Sequence, residues 1–359
     1  MFKILDRYIL RQFFQTYVFT ILLLVLVVSV IDYSEKSDDF IGVPIRSILF
    51  DYYLNYFLYV NNLVTPLIVF IATVFVTARL AGRTEIIAML SGGMSYRRII
   101  QPFFLGALFI AGLSFFLNGW VIPKTNKVKT AFEQTYTVDQ SKLRSDQQNF
   151  HAKINDTTFA YMQTYNSILK IGYKFTLERI DSLRLRQKLS SDMIRWDTAK
   201  DAWHMDKYQI HTFDGEEETL TKGIDLDTVI ALNPSDFEVK HLHWETLTLP
   251  QLDEYISAEQ SRGNSSLGIY LVEKYQRYSS PFAILILALM GVIVSSRKSR
   301  QGTSFQIALG FVLSFIFLIL AIIGKSVGQS GGLEPRLAVW LPNVVFAFVA
   351  VWLYWRVPK

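Results

Sequence analysis

The chain has 359 residues, 51% of them hydrophobic and 19% charged, with a mean hydropathy of +0.25 and a formal net charge of +5. That is too apolar for an ordinary soluble domain and too charged for a chain lying wholly in a bilayer, so both kinds of region are expected. Zero cysteines exclude disulfides and thiolate metal sites. Residues 123–276 carry 19 Lys and Arg against 23 Asp and Glu, so the excess of base lies in the flanking apolar regions. There it reports membrane topology, and nucleic acid is not needed to explain it.

The N-terminal KILDRYILRQ is amphipathic, with Lys3, Arg7 and Arg11 at helical spacing, and Phe13 to Ile31 reads as a first span. The apolar run is too long for a signal peptide and lacks a small-x-small cleavage site, so a retained span is expected. Acidic DYSEKSDD follows. A second span runs from about Leu49 to Ala78, with Pro66 near its middle and Tyr52, Tyr53, Tyr56 and Tyr59 as an aromatic belt. A third runs from about Ile99 to Ile122 and ends at Pro123. From Lys124 no apolar run is long enough to cross a bilayer. Short alternating segments appear instead, among them FHAKI, TFAYMQTY, KFTLERI, RLRQKL, MIRW and AWHMDKYQIHTF, separated by Asn, Asp and Gly. They predict a β-sandwich or β-jellyroll-like domain outside the membrane. After Asn233-Pro234 the period becomes helical, and three more spans follow, with cores at Pro281 to Val294, Phe305 to Val327 and Leu337 to Trp355. The expected architecture is an α-helical membrane domain of six transmembrane helices (3+3) with an inserted outer β-jellyroll-like domain. Its parts are residues 1–123, 124–266 and 267–359, and both termini are cytoplasmic.

Between spans two and three lies RLAGRTEIIAMLSGGMSYRR, Arg79 to Arg98. EIIAML favours a short helix, Ser91-Gly92-Gly93 ends it, and Ser95 caps the next. Arg79, Arg83, Arg97 and Arg98 place the segment on the cytoplasmic side. Glu85 is one of two acids in the inner segments, the other being Asp6. With an apolar face of Ile86, Ile87, Met89 and Leu90, the helix is shaped to dock into a groove of a soluble partner. Lys36, Arg46, Lys325 and Arg336 lie at outer span ends, against the charge bias. Snorkelling to headgroups accounts for them, and so does contact with an anionic amphiphile.

No phosphate-binding G-x-x-x-x-G-K-[ST] loop, H-E-x-x-H or G-x-S-x-G occurs, so an enzyme, a cofactor and a metal are not expected. His241-x-His243 reads as surface polarity of a β-rich domain.

The opening ILDRYILRQFF, the loop RTEIIAMLSGGMSYRRIIQP and the late EKYQRYSSPFAILILALMGVIVSSRKSRQG resemble the lipopolysaccharide export permeases, the LptF/LptG (YjgP/YjgQ) family. The order and lengths of the parts match along essentially the whole chain, and the length favours a G-like half. The resemblance implies a half-transporter in the bacterial inner membrane. It implies as partners a second permease (LptF-like), a cytoplasmic ABC ATPase dimer (LptB-like), periplasmic bridge proteins (LptC/LptA-like) and lipopolysaccharide as cargo. It further implies ATPase coupling through Arg83, Glu85, Ile86, Met89 and Leu90. For lipid phosphate the family uses bases near the outer end of span one, where this chain offers only Lys36 in an acidic setting. Arg46, Lys325 and Arg336 complete the candidate lipid-contact set. The competing reading from another class is a membrane-anchored periplasmic receptor or assembly factor without transport activity.

Overall fold

A computed structural model describes residues 4–137, 147–166, 169–181, 184–198, 200–214, 217–230, 232, 234, 243–261, 267–296 and 303–356. The described chain separates into a membrane unit (residues 1–136, 244–253 and 268–359) and a second unit (residues 137–243 and 254–267). His241 and the side chain of His243 lie outside the described residues.

Among the described residues, six helices are long and apolar enough to cross a bilayer. They are α1 (Ile4–Glu35), α2 (Ile45–Gly82), α4 (Tyr96–Tyr136), α7 (Gly268–Ser295), α8 (Thr303–Gln329) and α9 (Pro335–Trp355). The short α3 (Glu85–Ser91) joins α2 to α4, and α5 (His243–Thr246) and α6 (Leu249–Ser261) precede α7. The helices are longer than hydropathy suggests, because the polar turns at their ends continue the backbone ladder. Asp32 to Glu35 remains helical. Pro123 does not end the third span: a π-helical turn over Leu117–Val121 precedes it, and Pro123 sits in the first turn of the continuing segment, where its missing N–H costs least.

Within the membrane unit α2 and α7 are central. Their most apolar windows are 61% and 56% buried, against 11% for α1 and 17% for α8. One core joins Ile9 and Phe13 of α1 to Val69, Ala72 and Val76 of α2, Ile99 and Phe103 of α4, and Ile284, Ala288 and Val292 of α7. A second joins Phe70 and Val74 of α2 to Leu287 and Met290 of α7, Phe317 of α8 and Phe346 of α9. Close approach of α8 to α9 depends on Gly324, where an added Cβ would lie 2.4 Å from the Ala338 carbonyl oxygen. A backbone oxygen inside a helix has no rotamer to escape into. Gly324→Ala should therefore cost about 1–3 kcal/mol, read as a lower apparent melting temperature of the purified protein.

The second unit contains a six-stranded antiparallel sheet in the consecutive order β1 (Gln147–Lys153), β2 (Thr158–Asn166), β3 (Ile171–Asp181), β4 (Arg184–Asp197), β5 (Ala202–Asp214) and β6 (Glu217–Thr228). Every described pairing is between sequence neighbours, so the connectivity is a meander. Met162, Phe175, Ile194, Trp203 and Met205 form its core, and the Trp203 indole donates to the Leu232 carbonyl at 2.8 Å. RLRQKL and MIRW, read separately from sequence, are one strand, β4. β6 carries no clear alternation because it is almost wholly exposed, and it is ordered by its pairing with β5.

Candidate functional site

The α2–α3–α4 elbow is built from two backbone devices. Thr84, between α2 and α3, sits at φ 62°, a left-handed conformation rare for a β-branched residue, and its hydroxyl donates to the Arg83 carbonyl at 2.6 Å. At the other end Gly93 has φ 82°. The Met94 amide bonds the Met89 carbonyl at 3.1 Å, and the Gly93 amide bonds the Leu90 carbonyl at 3.0 Å. That pair is a Schellman motif, and it stops α3 after seven residues.

The expected four-residue apolar face is divided. Ile86 is 2% exposed and belongs to the protein's own core with Ile9, Leu80 and Ile99, and Met89 packs against the same core. Neither is presented outward. Ile87 and Leu90 are the exposed pair, at 47% and 38%. The physical reason is the helical period: residues three apart share a face, so 86 and 89 form a keel while 87 and 90 face out. Glu85 accepts a hydrogen bond from Tyr8 of α1 at 3.1 Å, and the exposed Arg83 guanidinium lies 4.0 Å away.

Neighbouring polar contacts tie the start of α4, which follows α3, to the rest of this end of the bundle. Arg98 of α4 makes a close ion pair with Asp6 of α1 and bonds Gln101 at 2.6 Å. Arg97 donates to the Tyr354 hydroxyl of α9 at 3.2 Å, and Tyr96 bonds Ser296 at 2.9 Å. The Asp6–Arg98 pair joins residues 92 positions apart. Its one sequence signal is that Asp6 is an acid among the bases at the N-terminal end of α1.

The four candidate lipid-contact bases differ in their surroundings. Lys36 lies 3.2 Å from Asp32 and 3.4 Å from Glu133, and it also contacts the Tyr52 hydroxyl. Its charge is thus matched within the protein. Of the four tyrosines expected as an interface belt, Tyr52 is withdrawn from it: it is fully buried, donates to Asp32 at 2.9 Å and packs between Phe40 and Phe132. Arg46 and Arg336 are exposed. Lys325 lines a cavity of about 70 Å³ with Tyr59, Asn126, Glu245, Glu273 and Arg277.

That polar cavity escaped sequence reasoning, because its members come from distant stretches. Arg277, 2% exposed, donates through Nε to Glu273 at 2.9 Å and through its other nitrogens to the carbonyls of Leu247 (2.6 Å) and Trp244 (3.0 Å). Asn126 Nδ2 donates to the Glu245 carbonyl at 3.3 Å, leaving its Oδ1 buried without a protein partner. Burial, and then the neighbouring Glu273 carboxylate, push the Glu245 carboxyl up from its usual range, against the pull of Lys129, Lys325 and Arg277.

Residues 7–356 match the family model described as lipopolysaccharide export system permease LptF/LptG. The chain is 21% identical over 378 residues to the lipopolysaccharide export system permease protein LptG of Escherichia coli strain K12, and equally to the protein of that name from Escherichia coli O6:H1. Each alignment covers 99% of this chain and 99% of the relative. The family match extends from the first turns of α1 past the end of α9 and takes in all six membrane helices and the sheet, and on that ground the chain belongs to the LptF/LptG family of lipopolysaccharide export system permeases.

Proposed function

We propose that this permease is one half of an ATP-driven transporter that lifts lipopolysaccharide out of the inner membrane and passes it to a periplasmic bridge. The chain itself carries no phosphate-binding loop motif, so ATP is hydrolysed by a separate cytoplasmic subunit. Removing a lipid with several acyl chains from a bilayer costs about 0.8 kcal/mol per CH₂ exposed, which requires coupled work. That work enters through α3. The observation carrying this reading is a short helix with a buried keel, Ile86 and Met89, and an exposed pair, Ile87 and Leu90, beside Arg83 and Glu85. A rigidly rooted helix of this kind transmits a push where a loose loop would absorb it.

The arginines around α3 support a cytoplasmic setting for that end of the bundle, with both termini there too and the β domain, residues 124–266 by the sequence boundaries, in the periplasm. The lightly buried α1 and α8 are the faces left for a second, related permease. In the lipid-contact set the exposed Arg46 and Arg336 are best placed to meet anionic headgroups, whereas Lys36 and Lys325 already have acidic neighbours.

The test is Glu85→Arg, which places a base beside Arg83 and removes the acceptor of Tyr8. The variant is expected to insert normally but to lose the ATP-hydrolysing subunit on extraction in mild detergent, and with it transport. Recovery of the complete complex would overturn the coupling role. Absence of any nucleotide-binding subunit from the wild type as well would favour a receptor or assembly factor.

A further inference from the structure

We propose that His204 works as a proton-operated latch: as an imidazolium with both ring nitrogens donating, it fastens the terminal strand β6 to β5 and makes that edge of the sheet sensitive to pH.

His204 on β5 and Asp227 on β6 stand directly opposite each other in the strand register. The ring Nδ1 lies 2.8 Å from an Asp227 carboxylate oxygen, and Nε2 lies 3.0 Å from an Asp206 carboxylate oxygen. An ionised carboxylate only accepts hydrogen bonds, and a neutral imidazole carries one N–H. Both contacts are satisfied together only when both nitrogens are protonated. Loss of that proton turns a lone pair toward one of the two carboxylates and changes an attraction into a repulsion.

The surrounding charges favour the imidazolium. On β6 Asp225 lies 3.7 Å from Nδ1. In the β4–β5 turn Lys200 donates to the second Asp227 oxygen at 2.6 Å, with Asp197 in its field. On β4 Arg195, paired with His204 in register, lies 3.8 Å from Asp206. The Asp227 hydrogen bond raises the His204 pKa above its ordinary value, partial burial opposes this, and Asp206 raises it again. Asp227 is held below the usual carboxylate range, first by Lys200 and then by His204, so the histidine is the member of the pair that titrates near neutrality.

The sign follows from a folded pKa above the unfolded one. The latch contributes fully below about pH 6.5, the unfolded value, and is lost as pH rises through the higher folded value. β6 is the strand where this matters, because its side chains are almost all exposed and it lies at the end of the sheet order. A second pair, His211 Nδ1 to Glu218 at 2.5 Å, bridges the same two strands near the other end of β6. An edge strand with little apolar burial, held across to its neighbour by a histidine–carboxylate contact near each end, is a natural site of local opening.

Hydrogen exchange of the full-length protein in detergent tests the latch, following the segment Glu217–Thr228 against the interior strand Ile171–Asp181 from about pH 5.5 to about pH 8.5, after correction for intrinsic exchange. The relative protection of β6 is expected to fall about two- to fivefold across that window, the scale of one exposed ion pair. In His211→Gln the fall should persist, and in His211→Gln combined with His204→Gln the profile should be flat. A wild-type ratio that does not change with pH, or a change in His211→Gln that the further replacement of His204 leaves intact, would overturn the proposal. Asp206→Asn supplies an independent readout in the histidine ring resonances. Its amide can serve a neutral ring, so the resonance it perturbs should titrate above pH 6.5 in the wild type and at lower pH in the variant. A wild-type midpoint below 6.5 would also overturn it.

Discussion

Replacing Arg277 with methionine is expected to destabilise the membrane unit by about 3–5 kcal/mol, seen as a large drop in the apparent melting temperature of the detergent-purified protein. The guanidinium is 2% exposed, and its three contacts are all to groups that accept: the Glu273 carboxylate and the carbonyls of Leu247 and Trp244. Methionine fills similar space and returns none of them. It leaves Glu273, whose side chain is 13% exposed, beside Glu245 with less compensating charge. The Glu245 carboxyl, already raised by burial and by Glu273, should then rise further, because Arg277 is one of the three cations pulling it down. Arg277→Lys should rescue only part of the loss, since one ammonium does not reproduce a fork reaching a carboxylate and two carbonyls. Arg277→Met combined with Glu273→Leu should recover much of it, because most of the cost lies in the stranded acid. Equal melting temperatures for wild type and Arg277→Met would show that the clamp carries no stability.

A second pair of variants should separate rooting from docking in α3. Ile86→Ala removes a keel residue that is 2% exposed and should cost about 2–5 kcal/mol of stability, measured by thermal unfolding. Ile87→Asp with Leu90→Asp alters side chains that are 47% and 38% exposed and should leave the melting temperature nearly unchanged. On the coupling reading these two are the anchors a partner covers. At about 2 kcal/mol or more for an interface anchor, loss of one should weaken binding of the ATP-hydrolysing subunit by roughly 30-fold, and their joint loss by more. Co-purification read beside melting curves distinguishes the outcomes. Loss of stability without loss of partner in the double aspartate variant would reverse the assignment of inward and outward faces.

Much of this protein was readable from residue order alone. Six apolar runs, their basic flanks and the alternation of segments such as TFAYMQTY and AWHMDKYQIHTF are properties of near neighbours, and backbone geometry converts them directly into spans and strands. The end of α3 was legible for the same reason, since Gly92-Gly93 supplies the positive φ that its stop requires. What residue order left open was which side of each element meets which neighbour. Tertiary packing sent Ile86 inward and Ile87 outward, withdrew Tyr52 from the surface, and drew Glu133 onto Lys36. It also assembled Asn126, Glu245 and Arg277 around one polar cavity and set His204 opposite Asp227. The reason is physical: burial and the pairing of charges depend on distances between residues tens to hundreds of positions apart, and those distances exist only after the helices have packed and the strands have found their register.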